Sequence, residues 1–257
     1  MADMSEYQLL STTRRLSGLL AATLLAALLV APPVLADSAA DGFSVPDLKA
    51  IGWQSLGYSR TNLWASASSR IVLQELPASA MTDGDLPAEA RSPDGGQVLL
   101  LLAENQAAAN RERQAIWFDP ARASLLQRCR VAYGRNDRRA KCYVYRAEGV
   151  WRERRESEGD GGEADADWVQ GGAANATIPD WTVSSRRRLK YPAAWPADAG
   201  LASPLMLLPL ASAAPLERTG DDQTVFVHTD QDFFRVRLRV QGSERIEVDY
   251  RQEAVDG

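Results

Sequence analysis

Alternating apolar and polar residues dominate the chain beyond its first 50 positions, a period typical of β-strands that bury one face. Prolines and glycines interrupt the alternation at short spacing, most densely at 77–96 and 192–200. The segments between these breaks predict ten strands, over residues 51–60, 66–76, 97–103, 114–118, 124–133, 138–154, 177–191, 224–228, 233–240 and 245–251. The pattern predicts an all-β, mainly antiparallel fold: a curved sheet, half-barrel or closed barrel of about 8–11 strands with one or two short helices.

The last two predicted strands form the clearest hairpin. A three-residue loop at 242–244 sets three apolar residues of one strand opposite three of the other. The pairs are Val240 with Ile246, Leu238 with Val248, and Val236 with Tyr250. The remaining positions are charged, so one face of this hairpin is expected in the core and the other in water.

Residues 1–36 have the features of a cleavable export signal. Arg14 and Arg15 precede an uncharged stretch rich in Leu and Ala, and Ala36 ends a small-residue cleavage motif. We expect cleavage after Ala36 and a periplasmic or secreted bacterial protein, with an uncleaved N-terminal anchor as the alternative. Ordinary secretion fits the residues after Arg15 better than a twin-arginine signal does. Residues 37–257 are then a single β domain, with no transmembrane segment expected in the mature chain.

The two cysteines lie in a second predicted hairpin. A turn centred on Arg135 and Asn136 places Cys129 directly opposite Cys142. Opposite residues of this kind have Cα atoms about 4.5 Å apart in a non-hydrogen-bonded pair, which is within reach of a disulfide. In an exported chain with two cysteines, a Cys129–Cys142 disulfide is the expected outcome.

Three segments do not look like strands. Residues 103–113 are rich in alanine and predict a short helix or a long hairpin loop. Residues 156–176 are acidic and rich in glycine, which is typical of a flexible surface loop. Residues 201–216 are apolar and interrupted by prolines, which favours a short helix with irregular chain. We expect this last segment to act as a lid that packs on the core, on a barrel mouth or on a partner.

The composition excludes several kinds of function. Acidic residues outnumber basic ones by 34 to 29, which disfavours a general nucleic-acid binder. Two cysteines and one histidine are too few for the usual zinc sites, so no metal and no cofactor are expected. The acids of residues 160–167, or Asp230 with Asp232, could bind calcium, but the acidic loop does not have the spacing of an EF-hand and a solvated loop is favoured.

No catalytic residue can be assigned from the sequence. His228 lies in a strand pattern close to Asp230, so a Ser-His-Asp site is not excluded, but a partly buried or rim histidine in a hairpin is the preferred interpretation. A hydrolase of envelope polymers would need two close carboxylates, and the sequence singles out no pair. The protein is therefore expected to be a non-enzymatic one, with the hydrolase kept as an alternative.

Arginines flank the acidic loop on both sides. Residues 152–155 carry three of them before the loop, and residues 186–188 carry three after it. If these segments pair as strands, arginine side chains line the wet face of the sheet and could meet an anionic polymer or a lipid head group. Solvation, or pairing with the acidic loop itself, is the favoured alternative.

These features together favour a protein that binds a lipid-like, apolar or amphipathic envelope molecule in a β-barrel-like cavity. The architecture resembles that of periplasmic lipoprotein carriers, although no motif of the chain matches that family. Hydrocarbon would be buried among apolar side chains, with arginine at the rim for an anionic head. The candidate ligand-binding residues are Trp151, Trp181, Arg187, Leu205, Met206 and Leu207. The alternative is an envelope assembly protein that docks a protein partner through residues 201–216.

Overall fold

The predicted alternation does form strands, each paired with its neighbour in the chain. A computed structural model describes residues 51–61, 66–81, 92–108, 110–134, 138–157, 181–193, 195, 200–214, 216 and 218–242. The chain divides into two compact units, Met1–Gly42 and Phe43–Gly257, and all described residues belong to the second. The export signal, most of the acidic loop and the final predicted strand at 245–251 lie outside the described residues.

The described residues contain eleven strands. They are β1 (Ser55–Thr61), β2 (Ser66–Pro77), β3 (Gln97–Ala107), β4 (Asn110–Asp119), β5 (Ser124–Tyr133), β6 (Arg138–Arg146), β7 (Gly149–Glu156), β8 (Thr182–Leu189), β9 (Leu201–Ala202), β10 (Asp222–His228) and β11 (Phe233–Arg239). Short 3-10 helices span Ala78–Ala80 and Pro204–Met206, and one α-helix, α1, spans Leu207–Ala213.

Strands β1 to β8 form one antiparallel sheet in chain order. Each strand hydrogen-bonds only to the strands before and after it, and β1 does not pair with β8, so the sheet is not closed. The fold class predicted from the sequence is confirmed in its open form, that of a curved sheet or half-barrel.

The last part of the chain forms a second, three-stranded sheet in the order β11-β10-β9. Val225 of β10 lies opposite Val236 of β11 in an antiparallel pair. Strand β9 runs parallel to β10 and pairs Leu201 with Phe226. The predicted role of Val236 as a strand residue is therefore confirmed, and its pairing with residue 250 lies outside the described residues.

One face of the large sheet, here called the inner face, packs against the small sheet and α1. Its buried apolar side chains form a single cluster with those of β9, β10, α1 and the 3-10 helix before α1. The cluster includes Leu101, Phe118 and Tyr145 of the large sheet. Met206 of the 3-10 helix and Val227 of β10 pack against them. The opposite face also carries buried apolar side chains on β3 to β5, so β3 is buried on both sides.

Two sequence predictions were wrong at hairpins. Residues 138–154 form two strands instead of one, because the chain reverses at Ala147 and Glu148 and pairs Arg146 with Gly149. Residues 103–113 form neither a helix nor a long loop, because β3 and β4 continue through them to a tight turn in which Ala108 has a φ of 51°. In the second case strand pairing on each side outweighs the weak local preference for a helix.

Gly149 is required by the turn between β6 and β7. Its φ is +145°, and a Cβ atom built there would lie 2.4 Å from the carbonyl oxygen of Leu189. We expect Gly149→Ala to lower the free energy of unfolding by about 1–3 kcal/mol, because the backbone must shift away from both constraints. Gly57→Ala in β1 is the matched control, since no atom lies within 4 Å of its Cβ position. Urea unfolding of both variants checks this, and equal stabilities would contradict it.

The predicted disulfide is confirmed. Cys129 lies directly opposite Cys142 in the β5–β6 register and is bonded to it. Both residues are buried with Val131 and Ala140 in a small apolar cluster on the opposite face of the sheet. Within the described residues, no helix has the length and apolar character needed to cross a bilayer.

Candidate functional site

His228 lies at the centre of the polar part of the inner face. It ends β10, is the one histidine of the chain and is completely buried. A hydrogen bond of 2.9 Å joins its Nδ1 to the hydroxyl of Tyr145. The rings of Tyr143, Tyr145 and Phe233 surround it at centroid distances of 5.3, 5.5 and 4.7 Å. Burial, helped by the positive charge of Arg128, lowers the pKa of His228 to about 3, so the imidazole is neutral at neutral pH.

Arg128 of β5 holds the turn between β10 and β11 against the large sheet. Its guanidinium donates to the carbonyl oxygen of His228 at 3.1 Å and to that of Thr229 at 2.6 Å. It also lies 4.3 Å above the ring of Tyr143. Hydrogen bonds from a charged donor are strong where water is excluded, and Arg128 is only 4% exposed. The turn is therefore fixed in place by a residue 100 positions earlier in the chain.

Asp230 in this turn is the counter-ion of the surrounding cations. Its carboxylate pairs with the Lys141 ammonium, accepts a hydrogen bond of 3.1 Å from the Tyr143 hydroxyl, and lies 3.7 Å from both Arg128 and Arg130. Burial by itself raises the pKa of Asp230, but the hydrogen bond from Lys141 and the nearby positive charges hold it below its usual range. Burial raises the pKa of Tyr143 to about 12, so this hydroxyl stays protonated and acts as a donor.

This arrangement is suited to fixing structure and not to acid–base chemistry at neutral pH. Asp230 bonds to Lys141 and Tyr143, and the ring of His228 bonds to Tyr145, so the histidine and the aspartate do not form the relay of a Ser-His-Asp site. His228 was predicted at a partly buried or rim position. The prediction underestimated its burial, because the aromatic rings enclose the imidazole completely.

A patch of basic side chains, here called the basic patch, extends from His228 across the inner face. It comprises Arg128 and Arg130 of β5, Lys141 of β6, Arg152 and Arg154 of β7, and Arg187 of β8. Among the described residues, three carboxylates contact these six cations: Asp230, Glu112 beside Arg130, and Glu156 at 2.9 Å from Arg154. The patch therefore carries more positive than negative charge.

Buried guanidinium nitrogens in the basic patch have no acceptor among the described residues. The Nε atoms of Arg128, Arg152 and Arg154 are each buried, and no acceptor in the described part of the chain lies within hydrogen-bonding distance of them, although the Arg154 side chain as a whole is 40% exposed. A buried donor without an acceptor costs about 1–3 kcal/mol, so such groups in a folded protein call for an explanation. Three of them on one face are the most unusual feature of the described residues.

The predicted ligand-binding residues occupy four separate places. Trp151 lies on the opposite face, beneath the guanidinium of Arg188 at 5.8 Å. Trp181 packs edge-on against Tyr133 at 5.9 Å, beside the disulfide cluster. Arg187 is on the inner face, because it precedes Arg188 in β8 and successive strand residues point to opposite sides. The structure thus places both tryptophans away from Arg187.

The other three predicted residues lie together in the segment that covers the inner face, residues 204–213, here called the lid segment. Met206 is fully buried in the main core, and Leu205 and Leu207 are half-buried against it. Leu208 points outward and is 47% exposed. The predicted short helix in this region is confirmed as α1.

The network around Asp230 was missed in the sequence analysis, although part of its signal was present. The register that pairs Cys129 with Cys142 also pairs Arg128 with Tyr143 and Arg130 with Lys141. Two cations directly opposite each other repel, which should have indicated a nearby acid. Its identity as Asp230 depends on long-range packing that no local pattern reveals.

No group of three or more His, Cys, Asp or Glu side chains in the described residues is placed to hold a metal ion. Comparison with family models, with curated proteins and with solved structures finds no match for this chain.

Proposed function

We propose that this protein is an exported, non-enzymatic binding protein for an amphipathic, lipid-like molecule of the bacterial envelope. The ligand would enter the inner face where the lid segment now packs. The observation that supports this is the contact between the lid segment and the rest of the protein, which is almost wholly apolar.

Very few polar contacts tie the lid segment down. Apart from bonds to the adjoining Ser203 and Ala214, the described residues make one hydrogen bond between the lid segment and the rest of the chain. Trp53 Nε1 donates it to Ser212 Oγ at 3.3 Å. Helix α1 has no side-chain hydrogen bond at its N-cap, no acidic residue in its first turn and no basic residue in its last. Helix ends without such partners contribute little to holding a short helix in place.

Apolar contacts hold the segment instead, and an acyl chain can replace them. Burial of apolar surface is non-directional and roughly proportional to area, so a hydrocarbon tail against Leu101 and Phe118 offers the same kind of contact as the side chain of Leu207. The lid segment would then shift outward and close over the acyl chain, so that Leu207 exchanges its contacts with the core for contacts with hydrocarbon. This is the property expected of a lid over a lipid site.

The exposed side chain of Leu208 favours one second candidate. At 47% exposure on α1, it could form the centre of a small apolar surface for a protein partner. In that case the lid segment would stay closed, and its outer side would dock an envelope protein.

A matched pair of variants tests the proposal. We expect purified wild-type protein, incubated with a monoacylglycerol, to retain one molecule in native mass spectrometry. Leu207→Asp should weaken this binding at least about tenfold, since a carboxylate in an apolar site loses its hydration without a partner. Leu208→Asp, one residue away and facing outward, should bind as the wild type does. Circular dichroism and the intact disulfide confirm that both variants are folded.

Three outcomes would count against the proposal. It is overturned if the wild type binds no amphiphile, or if folded Leu207→Asp binds as well as the wild type. Loss of binding in Leu208→Asp alone would also overturn it, because the outer side of the helix, and not the covered face, would then carry the interaction.

A further inference from the structure

Building on the proposed function, we propose that Arg152, Arg154 and Arg187 bind the phosphate of the ligand's head group. The chemical class is then a phosphate monoester carried on an acyl chain. The site lies where β7 and β8 meet on the inner face, next to the apolar core.

Two arginines face each other here without an intervening acid. Arg152 of β7 lies directly opposite Arg187 of β8 in the antiparallel register, and both point to the inner face. Like charges in directly opposite positions destabilise a sheet. Such a repulsion is expected in a folded protein where the two charges bind the same anion. Two guanidinium groups side by side match the two negative charges of a phosphate monoester.

The described carboxylates nearby are engaged with cations other than Arg152 and Arg187. Asp230 bonds to Lys141 and Tyr143, and Glu156 pairs with Arg154. In the part of the chain that the structure describes, neither Arg152 nor Arg187 forms a hydrogen bond or an ion pair with a side chain. The Nε atoms of Arg152 and Arg154 are buried and lack acceptors, so donors are available at a site from which water is partly excluded. An anion at this position would satisfy them.

The position also suits a ligand with a tail. Arg187 is exposed and Arg152 is half-buried, so the site opens to solvent on the β8 side. Two residues along the same strands, Val150 lies opposite Leu189, and both belong to or pack against the main core. Successive residues on one face of a strand are about 7 Å apart. A head group at the arginines therefore places the start of its acyl chain at the edge of the apolar cluster.

Three probes separate this inference from the proposed function on which it rests. The first is lysophosphatidic acid, and the second is the monoacylglycerol with the same acyl chain, which lacks only the phosphate. The third is glycerol 3-phosphate, which has the phosphate and no tail. Affinities for the wild type, Arg152→Gln, Arg187→Gln and Arg188→Gln are measured by titration calorimetry. Arg188→Gln removes the same charge from the same strand, but on the opposite face.

We expect lysophosphatidic acid to bind the wild type about tenfold more tightly than the monoacylglycerol, as loss of a charge-assisted contact usually costs at least that much. Arg152→Gln and Arg187→Gln should each remove most of this difference while leaving monoacylglycerol binding unchanged. Arg188→Gln should preserve it, and glycerol 3-phosphate should bind far more weakly than either lipid.

The contrary results are distinct. Equal affinities of the wild type for the two lipids would overturn the phosphate site and leave the proposed function standing. A phosphate preference that Arg188→Gln abolishes and Arg187→Gln preserves would place the anion elsewhere and overturn the assignment. Binding of glycerol 3-phosphate as tight as that of lysophosphatidic acid would show a site for a soluble phosphate, and absence of binding by either lipid would overturn both proposals.

Discussion

Glu153→Gln is expected to lower the free energy of unfolding by about 3–5 kcal/mol. Glu153 is 2% exposed on the opposite face of β7, beside Cys142 in the register. Its carboxylate accepts hydrogen bonds from Arg155 Nε at 2.6 Å and from Arg186 Nε at 2.8 Å. Arg155 is itself only 5% exposed, so the amide would remove the negative charge of Glu153 from beside a buried guanidinium that has lost hydration. Urea unfolding at pH 7 with the disulfide intact measures the loss.

The control is the same substitution three positions further along β7. Glu156 is exposed and pairs with Arg154 at 2.9 Å, and an ion pair at the surface is worth about 0–1 kcal/mol. Glu156→Gln should therefore have little effect. Equal losses in the two variants would mean that burial does not set the strength of the Glu153 interactions.

Stability is expected to fall by about 2 kcal/mol between pH 7 and pH 5 because of His228 alone. The folded protein holds the pKa of this imidazole at about 3, whereas an unfolded chain has it near the ordinary value of 6.5. Above pH 6.5 neither state binds the proton. As the pH falls below 6.5, the unfolded state binds it and the folded state does not, so unfolding becomes easier down to the folded pKa. The chain has a single histidine, and most carboxyl groups titrate below this window.

Urea unfolding at several pH values between 7 and 5 measures this slope, and His228→Gln is the comparison. The variant can be less stable at every pH, because glutamine does not fill the ring cage of Tyr143, Tyr145 and Phe233. Its stability should nevertheless be nearly independent of pH in this range. The wild type's free energy of unfolding could also prove independent of pH, or that of the variant could keep the full pH dependence. In either case the imidazole does not gain a proton on unfolding as we expect.

Local patterns were sufficient to predict most of the large sheet. A period of two and the spacing of turn residues place β2, β5 and β11 close to their observed bounds, and a single turn position fixes the pairing of Cys129 with Cys142. The turn at Glu148 was missed because the alternation runs through it without a proline or an Asn-Gly pair, and Gly149 is its one signal. The Ala-rich stretch around Ala108 suggested a helix, but cross-strand partners on both sides outweigh its helical preference.

The polar part of the inner face was less predictable, for a physical reason. Arg128 contacts the carbonyl of His228 across 100 positions, and Lys141 meets Asp230 across 89. These contacts depend on how the small sheet docks on the large one, and a sequence pattern describes one element at a time. The pairing of the two arginine-rich segments as β7 and β8 was considered in the sequence analysis, but the separation of Arg187 from Trp151 required the observed register.

The chain order of the large sheet bears on how the protein folds. Every strand from β1 to β8 pairs with its neighbour in sequence, and most of these pairings close a short loop that costs little chain entropy. The longest connection is that between β7 and β8, whose nearest paired residues are Glu156 and Thr182. Such a topology has a low contact order for a β-protein and is typical of comparatively fast folding by successive addition of hairpins. The contacts of β10 with β5 and β6 span a far longer stretch of chain, 100 positions from Arg128 to His228 and 83 from Tyr145 to His228. The large sheet can thus assemble first, and docking of the C-terminal segment over its inner face becomes the slow, final step that completes the native state.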